Sequence, residues 1–99
     1  MQYLFEWNPV KAKQNIEKHG VSFERAGTIL KDPYALSLFD KAHNQAEDRW
    51  ITIGKDSTEI VLVVSHTYQN VNQSTVRIRI ISARKATKRE QTQYDARTP

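Results

Sequence analysis

The chain contains no cysteine, which excludes both a disulfide framework and a thiolate metal site. Glycine and proline number three each, and no internal repeat or low-complexity tract is visible. No stretch approaches the roughly 18 apolar residues of a membrane span. The opening residues Met1-Gln2-Tyr3-Leu4-Phe5-Glu6 lack the basic region and apolar run of a secretory leader. A cytoplasmic chain without a membrane partner is therefore expected. With 99 residues, 38% of them hydrophobic, the chain can build one modest core, so a single domain over 1–99 is expected.

Charge is plentiful and unevenly placed. Residues 1–74 carry eight lysines and arginines against nine acids, whereas residues 75–99 carry seven against two. The net charge of +4 therefore resides in the last quarter. Such a block attracts an acidic partner, with nucleic-acid phosphate the commonest, unless it is simply a solvated tail.

Local signals give an element order. Tyr3 to Trp7 reads as a short aromatic strand. Asn8-Pro9 opens a helix that should stop at His19-Gly20. Ser22 is a second N-cap, followed by the apolar stripe Phe23, Ala26, Gly27, Leu30, and Asp32-Pro33 ends that helix. Strands are expected over 34–39, 49–54 and 59–68, the last containing the apolar run Ile60-Val61-Leu62-Val63-Val64. Gln69 to Ser74 reads as a turn. In the next strand Val76, Ile78 and Ile80 alternate with Arg77 and Arg79, which places cations and core on opposite faces. Thr87-Lys88-Arg89-Glu90 has the form of a capping box and starts a C-terminal helix through about Ala96. The order β-α-α-β-β-β-β-α argues an α+β fold with a mainly antiparallel sheet that the first strand joins.

Read together, several segments resemble the BrnT toxin family over nearly the full length. They are Phe5-Glu6-Trp7-Asn8 with Lys11 and Asn15, Lys18 to Glu24 with Ala26, and Asp32-Pro33. Further along come Asp40, His43, Glu47, Arg49, Ile53-Gly54 and His66-Thr67, and finally Arg79 to Thr87 with Glu90 and Tyr94. The resemblance implies a RelE-like ribonuclease toxin that needs no metal and no other cofactor. It also implies a BrnA-like antitoxin with a ribbon-helix-helix DNA-binding unit, through which alone the complex would meet operator DNA. Stoichiometry stays open, a two-to-two hetero-oligomer being one option, as does dependence on the ribosome. Two positions depart from the family pattern: Asn8 stands where Asp is usual, and Tyr68 where Glu is frequent.

Metal-free RNA cleavage uses the ribose 2′-OH as nucleophile. It needs a base, an acid and fixed cations at the anionic phosphorane. Arg79 is the first candidate for the cation, with Arg77 on the same face for a neighbouring phosphate. Arg84 and Lys85, placed just before the capping box, either join them or form a linker that binds the antitoxin; Lys88 and Arg89 extend the RNA-binding set. His66 at a strand end and His19 at a helix end are candidate proton carriers. Glu90 and Tyr94 share one helix face. Glu90 either takes part in proton transfer or only closes its capping box, and Tyr94 either meets RNA or anchors its helix. A metal reading of His43 and Glu47 lacks further ligands at suitable spacing. Antitoxin binding should mask the basic face. The alternative to an enzyme is a non-catalytic basic module that docks an acidic protein or nucleic acid. A repressor acting alone is disfavoured, because no helix pair has a basic second helix.

Overall fold

The computed structural model describes residues 1–41 and 48–98, so the reading of His43 and Glu47 lies outside the described residues. The local signals become elements in order. Strand β1 (Gln2–Glu6) leads to Asn8, whose side chain accepts from the Val10 and Lys11 amides and so opens helix α1 (Pro9–His19). Gly20 closes it at φ 69°, a left-handed conformation that glycine adopts without a Cβ clash. Ser22 caps α2 (Phe23–Thr28) by accepting from the Arg25 amide, and a 3-10 turn (Ile29–Lys31) carries the chain on to Asp32. Then follow β2 (Leu36–Phe39), β3 (Arg49–Lys55), β4 (Val61–Thr67), β5 (Gln69–Asn72), β6 (Thr75–Lys85) and α3 (Lys88–Asp95). Both hydrogen bonds of the Thr87–Glu90 capping box are formed.

The sheet runs β1-β6-β4-β3-β2, with β5 also paired to β6. All pairings are antiparallel except β1 with β6, which is parallel. This is the expected α+β architecture with two differences of detail. Residues 69–72 form a strand rather than a turn, and β6 runs on to Lys85, well past Ile80. The extension hides behind a β-bulge. Ser65 pairs with Ser82 but His66 pairs with Ile80, so Ile81 is an extra residue in β6.

The two faces of the sheet are covered unequally. On one, Val76, Ile78, Ile80 and Ala83 of β6 join Leu62 and Val64 of β4 beneath Val21, Phe23, Ala26 and Ile29. Gly54 makes room there, since a Cβ at that position would stand 3.1 Å from Ile29 Cβ. On the other face a smaller core of Ile53, Val61 and Val63 lies under Tyr94 of α3, with Ile51 and Ala86 beside it. Tyr94 donates its hydroxyl to Asp32, which also accepts from the Tyr34 and Lys55 amides. One carboxylate thus ties α3 to β3 and to the segment after the 3-10 turn.

Asn15 of α1 is the principal buried polar link between the helices and the sheet. Its amide accepts from the Ala83 nitrogen at 3.1 Å and donates to the Ala83 and Val21 oxygens at 2.8 and 2.9 Å. Strand β1 pairs with β6 only over Thr75 to Arg79. Beyond that point the Asn15 side chain takes the place of a strand, completing the backbone pairing of Ala83.

Candidate functional site

Alternation along β6 buries Val76, Ile78 and Ile80 against the helices and leaves Arg77 and Arg79 half-buried on the opposite face. Helix α3 occupies one end of that face, over Val61, Val63 and Ile53. At the other end the pairing registers line up a row of polar side chains across four strands. Arg49 of β3 pairs with Thr67 of β4, the Thr67 hydroxyl accepts from the Arg79 amide at 3.0 Å, and Arg79 of β6 pairs with Glu6 of β1. Arg49 and Arg79 are two strand spacings apart, about 10 Å between Cα atoms. Arg77 follows Arg79 by two residues, about 6.6 Å along the same strand. Among the described residues, neither Arg49 nor Arg77 is bound to a carboxylate. Three guanidinium groups, with an exposed carboxylate beside Arg79, therefore share one sheet face.

Arg84 reaches the same face farther along. It pairs with Val63, and its guanidinium donates to both oxygens of Glu90 at 2.7 and 2.9 Å. Arg84 and Lys85 thus close β6 just before the capping box, where one reading of the sequence made them a linker. Glu90 serves two structures at once, since one of its oxygens also accepts from the Thr87 amide. The hydrogen bonds from Arg84 lead the effects that lower its pKa to about 2, so Glu90 is an ionised anchor near neutral pH. Lys85, Lys88 and Arg89 are exposed. The last two occupy the first turn of α3, where the helix dipole disfavours cations.

The candidate proton carriers are placed elsewhere. His66 is 2% exposed and belongs to the helix-covered side, where it lines the apolar core near Ile29 and Ile80. Its Nδ1 faces the Thr67 carbonyl at 2.8 Å and its Nε2 faces the Thr52 hydroxyl at 2.6 Å; burial lowers its pKa and favours the neutral ring. His19 ends α1 and is half-buried. Tyr94 is buried beneath α3, and burial first, then its bond to Asp32, pushes its pKa up to about 12. The structure brings Arg77 and Arg79 together on one face with Arg84 farther along it, places Tyr94 at the Arg84 end under α3, and sets His66 and His19 on the helix-covered side.

Two residues of the row, Arg49 and Glu6, had no site role in the sequence reading. Arg49 carried a signal: it shares parity with Ile51 and Ile53, and so had to lie on one face with them. Glu6 carried none, because its place beside Arg79 depends on the parallel pairing of β1 with β6.

A family model described as "Ribonuclease toxin, BrnT, of type II toxin-antitoxin system" matches residues 7–90. The crystal structure of the Brucella abortus ribonuclease toxin BrnT superposes with a TM-score of 0.60 at 26% sequence identity, covering 89% of this chain and all of that one. No curated protein matches. The basic sheet face, the α+β fold and the match over most of its length lead to one conclusion: the chain belongs to the BrnT family of ribonuclease toxins of type II toxin–antitoxin systems.

Proposed function

We propose that the chain is a metal-independent endoribonuclease that cleaves mRNA by 2′-OH attack and so inhibits translation. The observation that carries this reading is the common face of Arg49, Arg77 and Arg79. Arg79 takes the scissile phosphate, and Arg49 reaches the same phosphate from across Thr67. Their fixed positive charges act where the phosphorane gathers negative charge. Arg77 binds the adjoining phosphate. Arg84, Lys85, Lys88 and Arg89 hold the strand farther along, with Glu90 fixing the direction of Arg84. Glu6 is exposed in register with Arg79, and we assign it the removal of the 2′ proton; the 2′ oxygen bonds to phosphorus, the bond to the 5′ oxygen breaks, and that oxygen takes a proton from solvent, leaving a 2′,3′-cyclic phosphate and a 5′-hydroxyl. His66 acts from behind the sheet as a support of the strand ends.

Among the described residues, no group of three or more His, Cys, Asp or Glu side chains is placed to hold a metal ion. In the cell, a BrnA-like antitoxin neutralises the chain by covering the arginine face and supplies the contact with operator DNA. The chain freed of antitoxin should degrade RNA in EDTA. Arg79→Ala should lower the rate by at least a hundred-fold without unfolding the protein, and Glu6→Gln by a comparable factor. RNA that stays intact but is retained by the protein in a gel shift would favour the non-catalytic module, a reading supported by the structural engagement of His66, Glu90 and Tyr94.

A further inference from the structure

Arg49 and Trp50 are neighbours in β3, as are Thr67 and Tyr68 around the end of β4, yet the members of each pair serve opposite sides of the sheet. Arg49 and Thr67 belong to the arginine row, whereas Trp50 and Tyr68 line a separate cavity of about 230 Å³ that, among the described residues, is also walled by Ser37 and His66. Tyr68 is 36% exposed, so the cavity opens to solvent past its ring, and Phe39 packs edge-on against Trp50 with ring centroids 5.2 Å apart.

The polar atoms of this cavity have a fixed direction. A carbonyl only accepts, so the 2.8 Å contact to Thr67 places a hydrogen on His66 Nδ1. The ring is held neutral by burial, so Nε2 is bare and accepts from the Thr52 hydroxyl at 2.6 Å. A hydroxyl has one hydrogen to give. Thr52 therefore accepts from Ser37, whose oxygen lies 2.7 Å away. The Ser37 proton is committed inward, and what Ser37 offers the cavity is an acceptor. We propose that this cavity receives a nucleobase of the bound RNA, stacked on Trp50 and Tyr68 and donating an N–H to Ser37 Oγ.

The chemistry selects that occupant. A wholly apolar side chain from a protein partner would cover the Ser37 oxygen without pairing it, an unfavourable burial. A flat ring with N–H groups on its edge satisfies the aromatic walls and the acceptor together, as in single-strand recognition by stacking. The placement fits as well. The cavity lies at the end of the sheet that carries Arg49 and Thr67, so a strand whose phosphates lie on the arginines can pass a base over that end. The proposal rests on the RNA reading above and adds a base-binding subsite to it.

The test uses intrinsic fluorescence. The chain has two tryptophans, and Trp7→Phe leaves Trp50 as the sole indole reporter. AMP should quench it saturably, and Ser37→Ala should weaken AMP by about five-fold, the worth of one hydrogen bond. N6,N6-dimethyl-AMP, which has lost both amine hydrogens, should bind the Ser37 protein as weakly as AMP binds Ser37→Ala. Should Trp7→Phe fold poorly, the Trp50 indole N–H shift in the NMR spectrum of the unmodified chain gives the same readout. Absence of saturable binding by any of the four nucleoside monophosphates overturns the proposal, as does equal AMP affinity with and without Ser37. Phenol or indole binding where AMP fails would also overturn it, and would mark a pocket for a partner's side chain. A protein that cleaves RNA yet ignores all four monophosphates loses this subsite but keeps the ribonuclease reading; one that binds a monophosphate yet leaves RNA intact does the reverse.

Discussion

Replacing Asn15 by alanine should destabilise the protein far more than an ordinary helix substitution. The side chain makes three hydrogen bonds to backbone groups while itself only 7% exposed. Truncation leaves the Ala83 nitrogen and oxygen and the Val21 oxygen without these partners. An abandoned buried group costs about 1–3 kcal/mol. The three surround one amide, and taking the low end for each gives about 3 kcal/mol together. For a domain of this size that corresponds to a fall in Tm of roughly 12–24 °C. Urea titration followed by circular dichroism gives the free energy, and a thermal scan the midpoint. Asn15→Asp is the sharper probe: it keeps the shape and the acceptor but turns the donating nitrogen into an anionic oxygen facing two carbonyls. It should be at least as damaging as alanine. A loss under about 1 kcal/mol for both variants would refute the view that this amide completes the edge of β6.

Other outcomes follow from the charges. The pKa of Glu90 is lowered from 4.5 to about 2, so its ion pair contributes stability above pH 4.5 that disappears as pH falls toward 2; Glu90→Gln should flatten the urea midpoint across that window. The pKa of His66 is lowered from 6.5, so below that pH the unfolded chain takes up a proton first. Stability should therefore decline from pH 6.5 downward, and His66→Gln should remove this part of the decline in the same titration. Arg77→Ala should reduce the salt dependence of single-stranded RNA binding by about 0.7 in log–log slope, one phosphate contact fewer; an unchanged slope would remove Arg77 from the interface.

Much of the fold was legible because its signals are local. Asn8, Gly20, Ser22 and the Thr87–Glu90 box each act within a few residues, and each appears in the structure as its chemistry requires. Strand β5 escaped notice because all four of its residues are exposed, which leaves no apolar alternation to read. The far half of β6 escaped because Ile81 breaks the period of two. Arg77 and Arg79 could be assigned to one face from parity alone. The bidentate pairing of Arg84 with Glu90 and the placing of Glu6 beside Arg79 arise from tertiary packing and strand order, which no spacing rule encodes. The interior position of His66 was equally hidden, since a histidine at a strand end reads the same whether it turns toward solvent or into the core.

Ile81 has a consequence for how this surface tolerates change. Arg84 follows Arg79 by five positions, an odd offset, so in an unbroken strand they would point to opposite sides. The extra residue resets the frame and lets both guanidinium groups look the same way while Ala83 still turns inward. Deleting that one isoleucine would leave the two arginines four positions apart, so a strand without the bulge would still hold both on one face; ironing out the bulge with Ile81 retained would instead turn Arg84 toward the helices and Ala83 away from them, dividing the cationic surface in two without altering a single charge.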